Sequence, residues 1–434
     1  MARPPYYKKR KTSQPEWANL NGDLLQNIFN KLSFVDVCRT KPVCSRWNKN
    51  AQEIFKTRGE VPWLLFPPQE DDYYLGKGDK TARLLNLQEK RFYNSFNNEA
   101  TEKIMSCCNC CCVGSSHGWL IFLDEYAVPF LLNPFSSKRI QLPHLDCCLS
   151  LATLTTFCNP NNVTSVWRER FVNKAILSSY PSNLNDCYVA LIYGRESRLA
   201  FCRINGDRSW TELDGKHEPY EDIIIRNKTQ LCALAHDGSL EVWDMVQGCI
   251  STPAKKMDIS SVEIRRREDS RWRSVKYLQT LRYYLVESSG DLLLVIRYVG
   301  EIVNTEGEAV SESYLLGGES NHPLVFPYKT LHFEVFRLDN DHKMWVQVDS
   351  LGDNVLFLGG SESISIPVEE WKMLKRDSIY FTDDYWERME GDYLFGGHDM
   401  GVFSLQDGSV DCFHGCHGME KIKTPPIWVV PHPW

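Results

Sequence analysis

The chain has 434 residues, 43% of them hydrophobic and 12% aromatic, with a formal net charge of -7. That length exceeds one ordinary core and fits one small and one large unit, while the negative balance argues against a general nucleic-acid binder, which needs a basic face. No apolar run approaches the length of a membrane span, and Met1 to Trp17 lacks the apolar core of a secretory signal, so the expected location is the nucleus, the cytoplasm or both.

Residues 1–16 read as a disordered basic tail. Lys8-Lys9-Arg10-Lys11 lies between Pro5 and Pro15, a run that serves nuclear import or is simply solvated. Residues 17–56 read as three short helices. Leu24, Leu25, Ile28, Phe29 and Leu32 recur at spacings of three and four, the period of a helix with one apolar face. Ser33-Phe34-Val35-Asp36 has capping-box spacing and opens a second helix. Pro42 is expected to start the third, along which Val43, Trp47, Ala51 and Ile54 align. A helical segment this small usually needs support from another domain or another chain. It is therefore expected to dock a partner, the alternative being a cap packed on the rest of the chain.

Leu20-Asn21-Gly22-Asp23-Leu24-Leu25, Ile28, Leu32, Asp36 and Val43-Cys44-Ser45-Arg46-Trp47 together resemble an F-box in order and spacing. The resemblance implies docking to the Skp-type adaptor of a cullin–RING ubiquitin ligase through Leu20, Asp23, Leu24, Leu25, Ile28, Leu32, Val43, Cys44 and Trp47. The family usually has proline after the first leucine. Asn21 stands there instead, which predicts a less fixed start to the first helix and weaker docking.

From Val61 onward the pattern is strand, tight turn, strand. Gly118 to Phe122 leads to Phe130-Leu131-Leu132, with Asn133-Pro134 breaking the chain before Ile140. Tyr188 to Tyr193 turns at Gly194 into Leu199 to Ile204. Leu231 to Ala235 turns at Asp237-Gly238, Tyr283 to Val286 at Gly290-Asp291, Phe333 to Leu338 at Asn340-Asp341, and Val402 to Leu405 at Asp407-Gly408. Glycine and asparagine accept the positive φ of tight hairpin turns. Six such clusters repeat at about 50 residues, the spacing of kelch-type blades. The fold expected is mainly β, a kelch-like β-propeller of six or seven blades over residues 61–434, with a β-sandwich pair as the alternative. Residues 144–170 and 303–322 look like inserted loops, and Val61 to Phe66 is placed to pair with the C-terminal segment and close the ring.

A second resemblance covers this body. Gly114-Ser115-Ser116-His117-Gly118-Trp119-Leu120, Leu132-Asn133-Pro134-Phe135, Leu199-Ala200-Phe201-Cys202-Arg203, Ser350-Leu351-Gly352-Asp353, Leu356-Phe357-Leu358-Gly359-Gly360, Ser378 to Asp384 and the tail Pro425 to Pro431 resemble the plant F-box family with domain of unknown function 295. With the helical segment, this implies a substrate-recognition adaptor of an SCF-type complex. Its partners would be a Skp-type adaptor, a cullin and an unidentified protein target, and it would carry out no chemistry itself. A scaffold or inhibitor acting without the ligase is the alternative.

Other motifs have structural readings. Cys107, Cys108, Cys110, Cys111 and Cys112 crowd together, and Cys412, His414, Cys416 and His417 lie far along the chain; adjacent cysteines on a strand point to opposite faces, so no metal is expected. No cofactor is expected either. His117 beside Ser115 and Ser116 is the nearest to a catalytic group, but a polar turn with His117 bonded to backbone across a blade explains the same residues. Asp383-Asp384 read as turn and cap residues. Arg265, Arg266, Arg267 and Arg271 with Trp272 form a basic loop suited to an acidic or phosphorylated target.

Overall fold

The computed structural model describes residues 17–57, 60–66, 82–94, 110–124, 128–145, 171–181, 187–245, 254–259, 264–265, 278–304, 307–311, 325–326, 328–369, 371, 373–385, 397, 399–413 and 426–432. The chain divides into two compact units, the first ending at Glu60 and the second beginning at Val61.

In the first unit α1 (Gly22–Phe29), α2 (Phe34–Thr40) and α3 (Ser45–Thr57) follow a single 3-10 turn, Trp17–Asn19. Ser33 caps α2 as expected: its hydroxyl accepts the Asp36 N–H at 3.1 Å and donates to the Asp36 carboxylate at 2.8 Å. Pro42 does not start α3. It lies in the turn where the Val43 N–H reaches the Thr40 carbonyl, and the helix begins at Ser45. The core is formed by Leu25, Phe29, Val37, Ala51 and Ile54, with Leu20, Leu32, Trp47 and Phe55 packed against it. Phe29 meets Trp47 edge to face at 5.5 Å, a geometry that aromatic quadrupoles favour.

The second unit is a six-bladed β-propeller. Blade 1 holds Trp63–Phe66, Arg83–Asn86 and Arg91–Asn94, and its fourth strand is Ile427–Val429 from the far end of the chain. Trp63 pairs with Val429, Leu64 with Trp428 and Leu65 with Ile427, the ring closure expected from the sequence. Blades 2, 3 and 4 are four-stranded meanders. They begin with Cys111–Ser116, Val172–Leu177 and Tyr220–Arg226. Each predicted hairpin in them is present. Asp237-Gly238, for example, links Gln230–Ala235 to Leu240–Asp244, with Gly238 at φ +84°.

Blade 5 corrects the spacing argument. The two hairpins around Gly290-Asp291 and Asn340-Asp341, counted separately in the sequence, form one sheet: Asp291–Gly300 pairs with Lys329–Asp339, Leu294 opposite Phe336 and Ile296 opposite Glu334. Strands of ten and eleven residues allow this continuous pairing across the insertion between them. That insertion is not all loop, since Val303–Asn304 pairs with Val325–Phe326. Blade 6 also departs from a simple meander. Asn354–Leu358 turns back to pair with Ile364–Pro367, then runs parallel to Ser378–Phe381. Gly359 makes the bend, where a Cβ would collide with the Thr382 side chain.

No helix among the described residues is long and apolar enough to cross a membrane. The described cysteines, Cys111, Cys112 and Cys412 among them, are thiols, and no group of metal-binding side chains is present among the described residues. Cys107, Cys108, His414, Cys416 and His417, like the tail carrying Lys8 to Lys11, lie outside those residues.

Candidate functional site

Two surfaces bear on function, one in each unit. In the helical unit, residues four apart stack on one ridge of a helix and the next residue lies about 100° away. Leu25 and Phe29 fill the ridge that faces the core and are fully buried. Leu24 and Ile28, on the neighbouring ridge, stay 53% and 37% exposed, and Val43 in the α2–α3 turn is 54% exposed. The apolar stripe read from the sequence is thus two ridges, one buried and one exposed. Leu25 is corrected from a docking residue to a core residue. Leu20, Leu32 and Trp47 are half-buried against the core, and the Trp47 indole donates to the Trp17 carbonyl at 3.1 Å. Cys44 is half-buried, and Asp23 is exposed in the first turn of α1, where a carboxylate suits the helix dipole. Trp17, 57% exposed, borders this unit and was not singled out in the sequence.

Asn21 precedes α1 with φ -58° and ψ 145°, and its side chain makes no capping bond. That φ is the value a proline ring fixes. The backbone at Asn21 therefore already has a φ compatible with proline, without the ring that would fix it. Asn21→Pro is expected to raise the stability of the helical unit by about 0.4–1 kcal/mol through the unfolded state, read as a higher denaturant midpoint.

In the propeller, polar groups tie each blade to the next. The Ser116 hydroxyl of blade 2 accepts the Leu177 N–H of blade 3 at 3.0 Å and donates to Glu362 of blade 6 at 2.7 Å. A Cβ at Gly114 would collide with the Ala175 carbonyl, so glycine permits this close approach. Lys174 of blade 3 pairs with Asp222 of blade 4, both buried, and Asp222 also accepts the Leu285 N–H of blade 5 at 2.6 Å. Burial raises the Asp222 pKa, with Lys174 opposing. Ser288 of blade 5 bonds Ser365 of blade 6 at 2.8 Å. The Trp428 indole of blade 1 donates to the Leu358 carbonyl of blade 6 at 3.0 Å, and Asn133 of blade 2 donates to the His432 carbonyl at 2.7 Å.

The seam between blades 5 and 6 is the most heavily charged. Arg297, 1% exposed, reaches Asp384 at 3.1 Å, Asp399 at 2.8 Å, the Thr382 carbonyl at 2.9 Å and the Thr330 hydroxyl at 2.7 Å. Burial opposes its charge, yet Tyr284 and the carboxylates of Asp399 and Asp384 hold its pKa above the usual arginine range. Asp383 makes no ion pair within 4 Å among the described residues; it accepts the Tyr328 hydroxyl at 2.6 Å and the Asp399 N–H at 3.2 Å. Burial, then the neighbouring Asp399 charge, pushes its pKa up to about 7. Asp383 and Asp384 are thus a buried tie between blades rather than turn caps alone.

Ser116 and His117 do not form a nucleophile–base pair. The serine hydroxyl is engaged by Leu177 and Glu362, and the His117 ring packs edge-on against Tyr180 at 5.0 Å instead of making the expected backbone bond. Arg266, Arg267, Arg271 and Trp272 lie outside the described residues. Arg265 is placed by its backbone alone, in a short strand parallel to the one carrying Val346. The blade ties went unremarked in the sequence, although three carried a signal: Lys174, Asp222 and Arg297 adjoin the apolar runs Ala175-Ile176-Leu177, Ile223-Ile224-Ile225 and Leu292 to Ile296, and a charge within a buried strand is almost always paired.

Residues 17–51 match the F-box domain and residues 84–404 match the KIB1-4 beta-propeller. Among similar curated proteins, F-box protein At5g25290 of Arabidopsis thaliana is 25% identical, covering 96% of this chain and 96% of its own, and the two that follow come from the same plant. F-box protein SKIP23 is 23% identical over 96% of each chain, and F-box protein At2g05970 is 22% identical over 87% of this chain and 88% of its own. Among solved structures, the Cps50 (Swd1) beta-propeller domain of Myceliophteria thermophila covers 76% of this chain and 78% of its own at 10% identity, with a TM-score of 0.30 that carries no argument. The helices and the closed six-bladed ring agree with the two family matches and the curated relatives, and the chain belongs to the KIB1-4 β-propeller family as a plant F-box protein.

Proposed function

We propose that this protein is the substrate receptor of an SCF-type cullin–RING E3 ubiquitin ligase, its helical unit docking a Skp-type adaptor and its propeller holding a protein target. The supporting observation is the exposure of Leu24 and Ile28 on one ridge of α1, and of Val43 in the α2–α3 turn, on a unit whose interior is already filled by Leu25, Phe29, Val37, Ala51 and Ile54. Large apolar side chains that adjoin on an exposed helix face, as Leu24 and Ile28 do at a spacing of four, mark a protein-binding surface. The receptor acts by proximity: holding target and ligase in one complex turns a rare encounter into an effectively intramolecular one. Such a role needs no catalytic residue in this chain and places it in the nucleus, the cytoplasm or both.

Co-expression with a Skp-type adaptor tests the reading. Leu24→Asp is expected to lower adaptor affinity at least about thirtyfold, the scale of an interface hot spot, with the circular dichroism of the folded chain unchanged. Leu25→Asp should instead lose helical structure, because its side chain lies in the core. Equal recovery of adaptor with the wild-type chain and with Leu24→Asp would remove the ligase reading and leave a scaffold that works without it.

A further inference from the structure

At one end of the propeller axis, residues from four blades converge. His117 follows the first strand of blade 2 and Tyr180 the first strand of blade 3, Glu362 precedes the Ile364–Pro367 strand of blade 6, and His432 follows the closing strand of blade 1. The Tyr180 ring stacks on His432 at 3.8 Å and meets the edge of His117 at 5.0 Å. Tyr180 nevertheless remains 37% exposed.

Glu362 is fixed at both ends. Its N–H donates to the Ser115 carbonyl at 3.1 Å, and one carboxylate oxygen accepts the Ser116 hydroxyl at 2.7 Å. The other oxygen bonds to nothing among the described residues, and no cation faces it there. Two carboxylates on the first strands of blades 4 and 5 are by contrast matched: Asp222 by Lys174, and Glu287 by Arg226 at 3.2 Å. The Tyr180 phenol is held above its usual pKa by burial and by the charge of Glu362, so it stays neutral and able to accept a hydrogen bond.

We propose that Glu362, Tyr180 and His117 form a binding site for a cationic side chain, lysine or arginine, of the protein target. The inference rests on the receptor reading only for the source of the cation. An anion would be repelled by Glu362, and a neutral apolar group would bury its free oxygen unpaired. A guanidinium or ammonium supplies N–H donors to that oxygen in a charge-assisted bond, and the aromatic rings around it favour positive charge. The net charge of -7 steers basic partners toward the chain.

The test uses the full chain and small probes in saturation-transfer NMR titrations. N-acetyl-arginine methylamide and N-acetyl-lysine methylamide should bind, and the neutral isostere N-acetyl-citrulline methylamide should bind at least about tenfold more weakly. Glu362→Gln keeps an acceptor for Ser116 and is expected to abolish that discrimination, and Tyr180→Leu to weaken both cationic probes. Equal binding of citrulline, or unchanged discrimination in both variants, would overturn the site. Spermidine binding far more tightly than either amino-acid probe would overturn the assignment to a protein side chain in favour of a free polycation. Adaptor recovery should be the same with Glu362→Gln as with the wild-type chain, so a failure here and a failure of the ligase reading are separate results.

Discussion

Replacing Arg297 by leucine is expected to destabilise the propeller by about 3–5 kcal/mol, the cost of removing one partner from a buried ion pair. The guanidinium is the charge that Asp384 and Asp399 face across the seam between blades 5 and 6, and Asp383, beside them, already holds its proton more tightly than an ordinary carboxylate. Leucine would leave these groups buried without a counter-charge, and would also remove the bonds that the Thr382 carbonyl and the Thr330 hydroxyl accept, leaving the hydroxyl only its bond to Asp399. Lysine at 297 keeps the charge but lacks the planar fork, so it should fall between wild type and leucine. Arg376→Leu provides the contrast, because its pair with Asp353 has both side chains more than half exposed and is worth less than about 1 kcal/mol. Denaturant midpoints followed by tryptophan fluorescence check the order. Equal shifts for Arg297→Leu and Arg376→Leu would show that the buried seam carries no special weight.

The second large effect is expected at Trp428. Its side chain is fully buried, donates to the Leu358 carbonyl and meets Phe357 edge to face at 5.0 Å. Truncation to alanine should cost about 3–5 kcal/mol in lost burial and residual cavity. The position adds a topological consequence. Ile427–Val429 is the strand that joins the end of the chain to its beginning, so Trp428→Ala should also speed unfolding and expose blade 1 first in hydrogen exchange. Phe92→Ala, on the outer strand of the same blade and 48% exposed, should change stability by no more than about 0.5 kcal/mol. A Trp428→Ala protein as stable as Phe92→Ala would deny the closure its role.

Much of this architecture was legible along the chain because hairpin chemistry is local. A glycine at positive φ announces its turn whatever surrounds it, and Gly194, Gly238, Gly290 and Gly408 adopt the positive φ that their turns require. The helical unit was legible for a similar reason, since the Ser33 cap and the 3.6-residue period are set within a few residues. The same local reading failed where a choice depended on distant partners. Leu24 and Leu25 are identical in type and adjacent in sequence, so only the packing of α3 against α1 decides which is core and which is surface. The hairpins of blade 5 merged into one sheet because Asp291–Gly300 and Lys329–Asp339 found each other across an insertion.

Residue order alone announced that a short helical unit precedes a large β body, where the hairpins turn, and that the first and last strands of that body would meet. These follow from backbone preferences and apolar periodicity, which act over a few residues. Packing in three dimensions was needed to show that the blades number six, that Leu24, Ile28 and Val43 are exposed while Leu25 is not, and that Ser116, Lys174, Asp222, Arg297 and Glu362 tie neighbouring or facing blades together. The physical reason is that a buried charge takes its meaning from the partner that compensates it, and here each partner lies in a different blade, tens to hundreds of residues away in the chain.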